Sequence, residues 1–245
     1  MKPVWETHLS VAVEVDETYH LSRRKEIASF FDEPPGVVVD VGCGAGATGR
    51  LLKEKFPGTP VIGIEINAAA AAAARQHLDA VVTGDLAQVR LAPHLAGRPI
   101  GVLLLLAVLE HLVDPWRALV TMRSWLAPES RVMASVPNIR NLQTLDHIAA
   151  GAFDYDIHGV LDVTHLRFFT RSTLRRLFEE TGYEVVSMEP LVQPELDELV
   201  VERRPGSVST RHVSVRCPTR ESFDDLYALQ YAVDARVARE GAALR

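Results

Sequence analysis

Residues 37–46 read Val-Val-Val-Asp-Val-Gly-Cys-Gly-Ala-Gly and decide the fold of this chain. A β-branched apolar run that ends at an acidic residue is typical of a parallel strand buried on both faces. Gly42, Gly44 and Gly46 leave room for a ligand against the backbone and permit positive φ in a tight turn. A helical pattern, Ala47 to Phe56, follows, and its N-terminus offers N–H donors and a partial positive charge. The unit therefore predicts a cradle for a nucleotide-type cofactor.

The glycine spacing by itself fits more than one kind of site. Gly44, Gly46 and Gly49 match G-x-G-x-x-G, the dinucleotide fingerprint. Glu65 lies about 20 residues further on, where that fingerprint has its ribose-binding acid. On this segment alone a dinucleotide site, a different nucleotide-type site and a tight turn without a ligand all stay open.

The composition is that of a globular protein, and its charge does not suggest that nucleic acid is a partner. The chain has 245 residues, 47% of them apolar and 24% charged, enough for one α/β domain with an embellishment. The net charge is −6, and without a basic stripe duplex nucleic acid is an unexpected partner. Cys43 and Cys217 suggest neither a disulfide framework nor a metal site. The longest apolar run, Ile100 to Leu109, is too short to span a bilayer, and residues 1–10 lack a signal-peptide core, so we expect a cytoplasmic protein.

Strands and helices alternate along most of the chain. The predicted strands are Val37–Val41, Pro60–Glu65, Asp79–Thr83, Ile100–Leu106, Ser130–Val136 and Tyr183–Met188. The predicted helices are Thr18–Phe31, Ala47–Phe56, the alanine run Ala68–Ala74 capped by Asn67, a helix from Asp114-Pro115 to Leu126, and Arg171–Thr181. This alternation predicts an α/β fold with a doubly wound, mostly parallel sheet.

Further polar motifs follow three strands of the predicted sheet. Glu65 ends the second strand, and Gly84-Asp85-Leu86 follows the third. Residues 109–115, Leu-Glu-His-Leu-Val-Asp-Pro, follow the fourth. Because ligands of open α/β sheets bind at the carboxyl ends of strands, we expect these motifs and the glycine turn to form one site.

Together these motifs resemble those of the class I S-adenosylmethionine-dependent methyltransferases. Residues 37–46 resemble motif I of that family, and the segment after strand four is similar to that of a small-molecule subgroup related to ubiquinone-biosynthesis O-methyltransferases. The resemblance covers roughly residues 18–189. It implies S-adenosylmethionine as the cofactor and a seven-stranded Rossmann-like sheet whose last strand, Tyr227 to Val233, is antiparallel. Asp234-Ala235-Arg236 interrupt the aliphatic pattern, so the register and the end of that strand stay open.

The resemblance also implies which residues bind the cofactor. Asp85 matches the acid that accepts the adenine amino hydrogen, and Val108 and His111 are the nearest matches on the wall after strand four. Ala107 stands where many relatives carry a polar residue. Glu110-His111 suggests a metal site only weakly, because no companion ligand lies at a suitable spacing, and no metal is expected. The cofactor-binding set is Asp40, Gly42, Cys43, Gly44, Gly46, Glu65, Ile66, Gly84, Asp85, Leu86, Val108 and His111.

Two long segments interrupt the alternation of strands and helices, and loops of such length are usually functional or disordered. Residues 135–138 and 159–170 resemble a subgroup associated with glycan and surface-polysaccharide biosynthesis, which implies that segment 139–170 forms a roof over the acceptor. Arg167 either holds an anionic acceptor or braces Asp162. The substrate-binding set is Tyr19, Asn138, Asp162 and Arg167. The chain is expected to be a single domain, 1–245, with a helix over the cleft (18–36), a cofactor half (37–136), the roof (139–170) and a long irregular segment (190–222).

The implied chemistry is methyl transfer to a hydroxyl of a small molecule or saccharide. The sulfonium already activates the methyl group, but a hydroxyl must lose its proton as the new bond forms, and a histidine of near-neutral pKa suits that role. His165, on the roof, is the preferred base, ahead of His111 on the cofactor wall and His20 on the N-terminal helix. Methylation of a small amine, a cofactor-binding protein without turnover, and a homodimer through the C-terminal segment all stay open.

Overall fold

A computed structural model describes residues 30–239 of the chain. The predicted helix Thr18–Phe31 lies almost wholly outside the described residues, and so do Tyr19 and His20.

The described residues contain ten strands, and seven of them form one main sheet. The strands are β1 (Val37–Val41), β2 (Val61–Glu65), β3 (Ala80–Thr83), β4 (Ile100–Leu106), β5 (Arg131–Pro137), β6 (Tyr183–Val192), β7 (Glu202–Arg204), β8 (Ser207–Ser209), β9 (Ser214–Arg216) and β10 (Ala228–Val237). The main sheet has the order β3-β2-β1-β4-β5-β10-β6, and within it β10 alone runs opposite to the other six strands. This confirms the predicted doubly wound, mostly parallel sheet with a last antiparallel strand.

Helices cover the sheet. They are α1 (Ala47–Lys55), α2 (Ala68–Ala74), α3 (Ala92–Leu95), α4 (Pro115–Arg123), α5 (Leu142–Ala149), α6 (Arg171–Glu180) and α7 (Arg220–Tyr227). The predicted caps are confirmed: the Asn67 side chain accepts from the backbone N–H of the second and third residues of α2, and Asp114 accepts from Arg117 N at 2.9 Å. Between residues 30 and 239, no helix is long and apolar enough to cross a membrane.

The first strand is apolar throughout because both of its faces are buried. Val37, Val39 and Val41 pack into one cluster with residues of α4 and α6. Val38 points to the other face and packs with Leu52 of α1. Alternate residues of a strand face opposite sides of the sheet, so only a run of apolar residues satisfies both layers.

Strand β10 continues through the charged residues that left its end open in the sequence. The carboxylate of Asp234 forms an ion pair with the guanidinium of Arg131 on β5, at 2.8 Å. Arg236 forms an ion pair with Glu184 on β6, at 2.9 Å. Each charge in the strand thus meets an opposite charge on a neighbouring strand. Cross-strand pairing of this kind stabilises a sheet, and it explains why the strand extends to Val237.

Replacing Asp234 with alanine is expected to lower the free energy of unfolding by about 0.2–1 kcal/mol, the usual value of a cross-strand pair. Urea denaturation of Asp234→Ala, Arg131→Ala and the double variant measures the coupling of the two side chains. Strictly additive effects would show that the pair contributes nothing.

The segment 190–222 is ordered, so its expected irregularity is wrong. Beyond the end of β6 it contains a short 3-10 helix, Pro194–Leu199, and an antiparallel sheet of order β7-β8-β9. Leu196, Val208 and Cys217 of this segment are buried. They pack in one cluster with Leu142 of α5 and with Leu226 and Tyr227 of α7. Strands of three residues are too short for a period of two to be recognised in the sequence. The small sheet thereby supports α5, the helix that begins the roof.

Candidate functional site

A cavity of about 410 Å³ opens at the carboxyl ends of β1, β4 and β5. This is the edge at which the sequence motifs predicted a ligand. The glycine turn forms one wall, the segment after β4 a second, and residues 158–165 of the roof a third. The lining residues are Asp40, Gly42, Cys43, Gly44, Ala47, Thr48, Leu106, Ala107, Glu110, His111, Pro137, His158, Gly159, Val160, Asp162, His165, Leu229 and Gln230.

The glycines of the turn are required by its backbone. Gly42, Gly44 and Gly46 have φ of 66°, 54° and 82°, the left-handed region that favours glycine. A Cβ at Gly42 would also lie 2.9 Å from a methyl carbon of Val108. Gly46 caps α1 without any side chain, so the first N–H groups of this helix face the cavity beside Ala47 without a side-chain acceptor. The start of α1 therefore offers backbone donors to an anionic group.

Glu65 fastens the glycine turn to the end of β2. Its carboxylate accepts the backbone N–H of Gly44 and that of Asn67, each at 2.8 Å, and the side chain is buried. A carboxylate has about four lone-pair sites, so both oxygens retain capacity for the two hydroxyls of a ribose.

The predicted cofactor residues fall into two groups. Asp40, Gly42, Cys43, Gly44 and His111 line the cavity. The others lie outside its lining, beside the ends of β1 to β4: Gly46, Glu65, Ile66, Gly84, Asp85, Leu86 and Val108. Ile66 and Asp85 are exposed. The cavity is thus the enclosed part of a longer groove, and a cofactor that also reached these residues would lie partly at the surface.

Cys43 lines the cavity, but its thiol is not a nucleophile. Burial, together with the nearby carboxylates Asp40 and Glu65, raises the pKa of the thiol. The protonated Sγ donates weakly to Gly44 O, and a Cβ at Gly63 would lie 2.5 Å from this sulfur. The side chain therefore fills the space between the turn and β2.

His111 is held in one tautomer by a network with the roof. The Thr164 hydroxyl donates to Asp162 Oδ1 at 2.6 Å, so toward His111 it can only accept. His111 Nδ1 lies 3.1 Å from that oxygen and 3.3 Å from Thr164 O, both acceptors, and so carries the proton. Its Nε2 consequently has a lone pair, and that atom is buried without a hydrogen-bond partner among residues 30–239. Burial and the neighbouring His165 lower the pKa of His111 to about 4, so the ring is neutral at neutral pH.

His165 is oriented in the same way. Its Nδ1 lies 3.0 Å from Val160 O, and since a carbonyl only accepts, Nε2 again carries the lone pair. The rings of His111 and His165 meet edge to face with their centroids 4.8 Å apart. Leu166 N and Arg167 N both donate to Glu110 O, at 2.8 and 3.0 Å. These backbone bonds hold the roof against the segment after β4 and bring the two histidines together.

Glu110 lies beside the two histidines, and the sequence did not indicate this group of three. The residue is fully buried, and it lines the cavity. Glu110, His111 and His165 each offer a potential ligand atom, all within 4.8 Å of one another. The expectation that Glu110-His111 has no companion ligand is therefore wrong. The companion is His165, 54 residues away from His111, and no local spacing indicates it.

Two predicted substrate residues have structural partners instead. Asn138 is fully buried, and both protons of its amide are donated to backbone, to Asp225 O at 2.7 Å and Ala228 O at 3.0 Å. It joins the end of β5 to α7 and β10, with no donor left for a substrate. Arg167 is exposed, and its guanidinium donates to Val113 O, so it braces the segment after β4 and not Asp162. Asp162 itself is buried in the cavity wall, as a roof residue should be.

Comparisons with known proteins agree with this geometry. Residues 16–188 match the sequence profile of a family described as a methyltransferase domain. Among solved structures, a SAM-dependent methyltransferase from Archaeoglobus fulgidus is 19% identical with a TM-score of 0.62, over 95% of this chain and 99% of that one. The mitomycin 7-O-methyltransferase MmcR is also 19% identical, with a TM-score of 0.59, over 97% of this chain and 61% of that one. The magnesium protoporphyrin IX methyltransferase ChlM from Synechocystis PCC 6803, with bound SAH, is 16% identical with a TM-score of 0.54, over 94% of this chain and 87% of that one.

Identities this low establish a shared fold and nothing finer. No curated protein matches the sequence significantly.

Proposed function

Because the chain belongs to the methyltransferase-domain family, we propose that it moves a methyl group from S-adenosylmethionine to a hydroxyl of a small molecule or saccharide. One observation carries the proposal. A single cavity is lined both by the glycine turn and by a roof histidine, His165, whose Nε2 carries the lone pair.

The cofactor half of the cavity suits S-adenosylmethionine. This molecule carries a cationic sulfonium and ammonium beside an anionic carboxylate. The start of α1 provides backbone N–H donors for an anion, and the buried carboxylate of Asp40 lies on the same cavity for a cationic group. When bound, the cofactor supplies a methyl group that its sulfonium has already activated. The protein then aligns the acceptor and excludes water, which lowers barriers by about 7–11 kcal/mol in favourable model systems.

In the protein without a bound metal ion, His165 takes the proton of the acceptor. Its Nε2 has a lone pair because Nδ1 donates to Val160 O. His111 has the same tautomer, but its pKa is lowered to about 4, which makes it a weak base. The carbon–oxygen bond forms as the carbon–sulfur bond of the cofactor breaks, and the hydroxyl proton passes to His165.

The roof carries aromatic rings that favour a ring-shaped acceptor. Tyr155, Phe153, Phe168 and His165 follow one another in edge-to-face contacts, with centroid distances of 5.7, 6.0 and 6.4 Å. Phe153 and Tyr155 are about half exposed although they are large and apolar. Rings that stay exposed near a cavity provide flat surfaces for the apolar faces of sugars or aromatic compounds. The O-methyltransferase MmcR, whose fold is similar, is named for transfer to oxygen.

Calorimetry with S-adenosylhomocysteine and with NAD tests the cofactor assignment. We expect micromolar binding of S-adenosylhomocysteine and no binding of NAD, since only the glycine turn and Glu65 are features that a dinucleotide site would share. Binding of NAD alone would overturn the assignment.

Labelled S-adenosylmethionine with a panel of sugar nucleotides, phenols and small amines then tests the acceptor. Transfer to hydroxyl compounds supports the proposal, whereas transfer to amines alone, or cofactor binding with no transfer to any compound, contradicts it.

A further inference from the structure

We propose that Glu110, His111 and His165 bind one divalent ion of a first-row transition metal at the acceptor end of the cavity. Only the role of the ion rests on the proposed function. Its binding depends on these three side chains and on the hydrogen bonds that orient them.

Both histidines are oriented as metal ligands usually are. A metal-bound histidine almost always donates its second ring N–H to a carbonyl or carboxylate, which fixes the ring and its tautomer. His111 Nδ1 donates to Thr164, whose hydroxyl in turn donates to Asp162, and His165 Nδ1 donates to Val160 O. Each ring therefore has its Nε2 lone pair available. His111 Nε2 is a buried atom to which no group in the described part of the chain donates a hydrogen bond.

Glu110 completes a set of three converging donors. One ligand atom from each residue lies within 4.8 Å of the others. Donors bound about 2.1 Å from one ion in a tetrahedral site lie about 3.4 Å apart, so the side chains must close by up to about 1.4 Å. Two imidazole rings and one carboxyl group thus lie together on the wall of the cavity.

The ligand types indicate the class of ion. Two histidines and one glutamate are the ligands of many catalytic zinc sites, and such sites leave one position open. Imidazole also suits Fe²⁺, Co²⁺ and Ni²⁺, whereas Mg²⁺ and Ca²⁺ prefer oxygen ligands alone.

An open position on the ion would bind the hydroxyl oxygen of the acceptor. A bound divalent ion lowers the pKa of that hydroxyl. The proton then leaves to water, the oxygen attacks the methyl group, and the carbon–sulfur bond breaks. In the metal-bound protein His165 Nε2 is a ligand, so the ion and not the histidine ionises the acceptor.

Titration of the full chain with Co²⁺ alone, after dialysis against EDTA, tests the site without any need for activity. We expect one saturable Co²⁺ site with visible ligand-field absorption. Glu110→Gln and His165→Ala should each weaken binding by more than about 100-fold, since even losses among outer partners of metal ligands cost 10–100-fold. His94→Ala, which removes an exposed histidine on α3, should leave the affinity unchanged.

The proposal is overturned if Co²⁺ does not bind at one site, or if Glu110→Gln and His165→Ala bind it as tightly as the parent protein. If Glu110→Gln does not fold, as circular dichroism will show, His165→Ala decides the outcome. Binding of S-adenosylhomocysteine to the same EDTA-treated protein keeps the two proposals apart. Cofactor binding without Co²⁺ binding removes the metal site only, and Co²⁺ binding without cofactor binding removes the proposed function only.

Discussion

Replacement of His165 with asparagine is expected to lower turnover by roughly 10²–10⁴-fold, the usual share of general acid–base catalysis. The substitution removes the inward lone pair, while the amide of asparagine can still donate to Val160 O and hold the roof. The dissociation constant of S-adenosylmethionine should stay nearly unchanged, because the glycine turn lies on another wall. Steady-state kinetics at saturating acceptor, with calorimetry for the cofactor, measures both quantities.

The matched variant is His111→Asn, which alters the neighbouring ring. If His165 only braces the roof, its replacement should lower stability and acceptor affinity together and leave turnover at saturation intact. A loss of turnover confined to His111→Asn would make His111 the base. Full activity in both variants would indicate an acceptor that needs no protein base, such as an amine. Activity of the parent protein that EDTA abolishes and Zn²⁺ or Co²⁺ restores would assign the loss to a metal ligand.

Replacement of Glu65 with alanine is expected to weaken cofactor binding by about 1.5–3 kcal/mol, the value of a lost charge-assisted hydrogen bond. The buried carboxylate also accepts the N–H groups of Gly44 and Asn67. Its removal should therefore lower the free energy of unfolding by a further ~1–3 kcal/mol. Calorimetry and urea denaturation separate the two effects.

Asp85→Ala is the matched control for Glu65. Asp85 is exposed at the next strand end, so its loss should weaken the cofactor without a comparable loss of stability. An unchanged dissociation constant in Glu65→Ala would remove Glu65 from the cofactor site, whatever its effect on folding.

The fold was predictable where local patterns carry the information. Runs such as Val37–Val41 and Ile100–Leu106 are apolar throughout because layers cover both faces of the sheet, and the structure has these strands at the predicted residues. Asn67 and Asp114 cap the helices that their side chains indicated. Capping and burial act over a few residues, so they leave a direct trace in the sequence.

The acceptor end of the site depends on contacts that leave no such trace. His165 reaches His111 because two backbone N–H groups of the roof donate to Glu110 O, and backbone bonds do not depend on residue type. Asn138 was predicted to bind substrate because residues 135–138 resemble a known subgroup, but its neighbours in space come from α7 and β10, almost 90 residues later. Likewise, the guanidinium of Arg167 donates to the carbonyl of Val113 and not to the nearby carboxylate of Asp162.

The position of β10 has a consequence for how the protein is made on the ribosome. This strand lies between β5 and β6, yet it is synthesised after both, and its residues Leu229 and Gln230 line the cavity. A nascent chain that lacks residues 228–237 has two strand edges without their partner, the kind of edge that pairs with other chains. The sheet and the wall of the cavity are thus completed together, only once β10 has been synthesised.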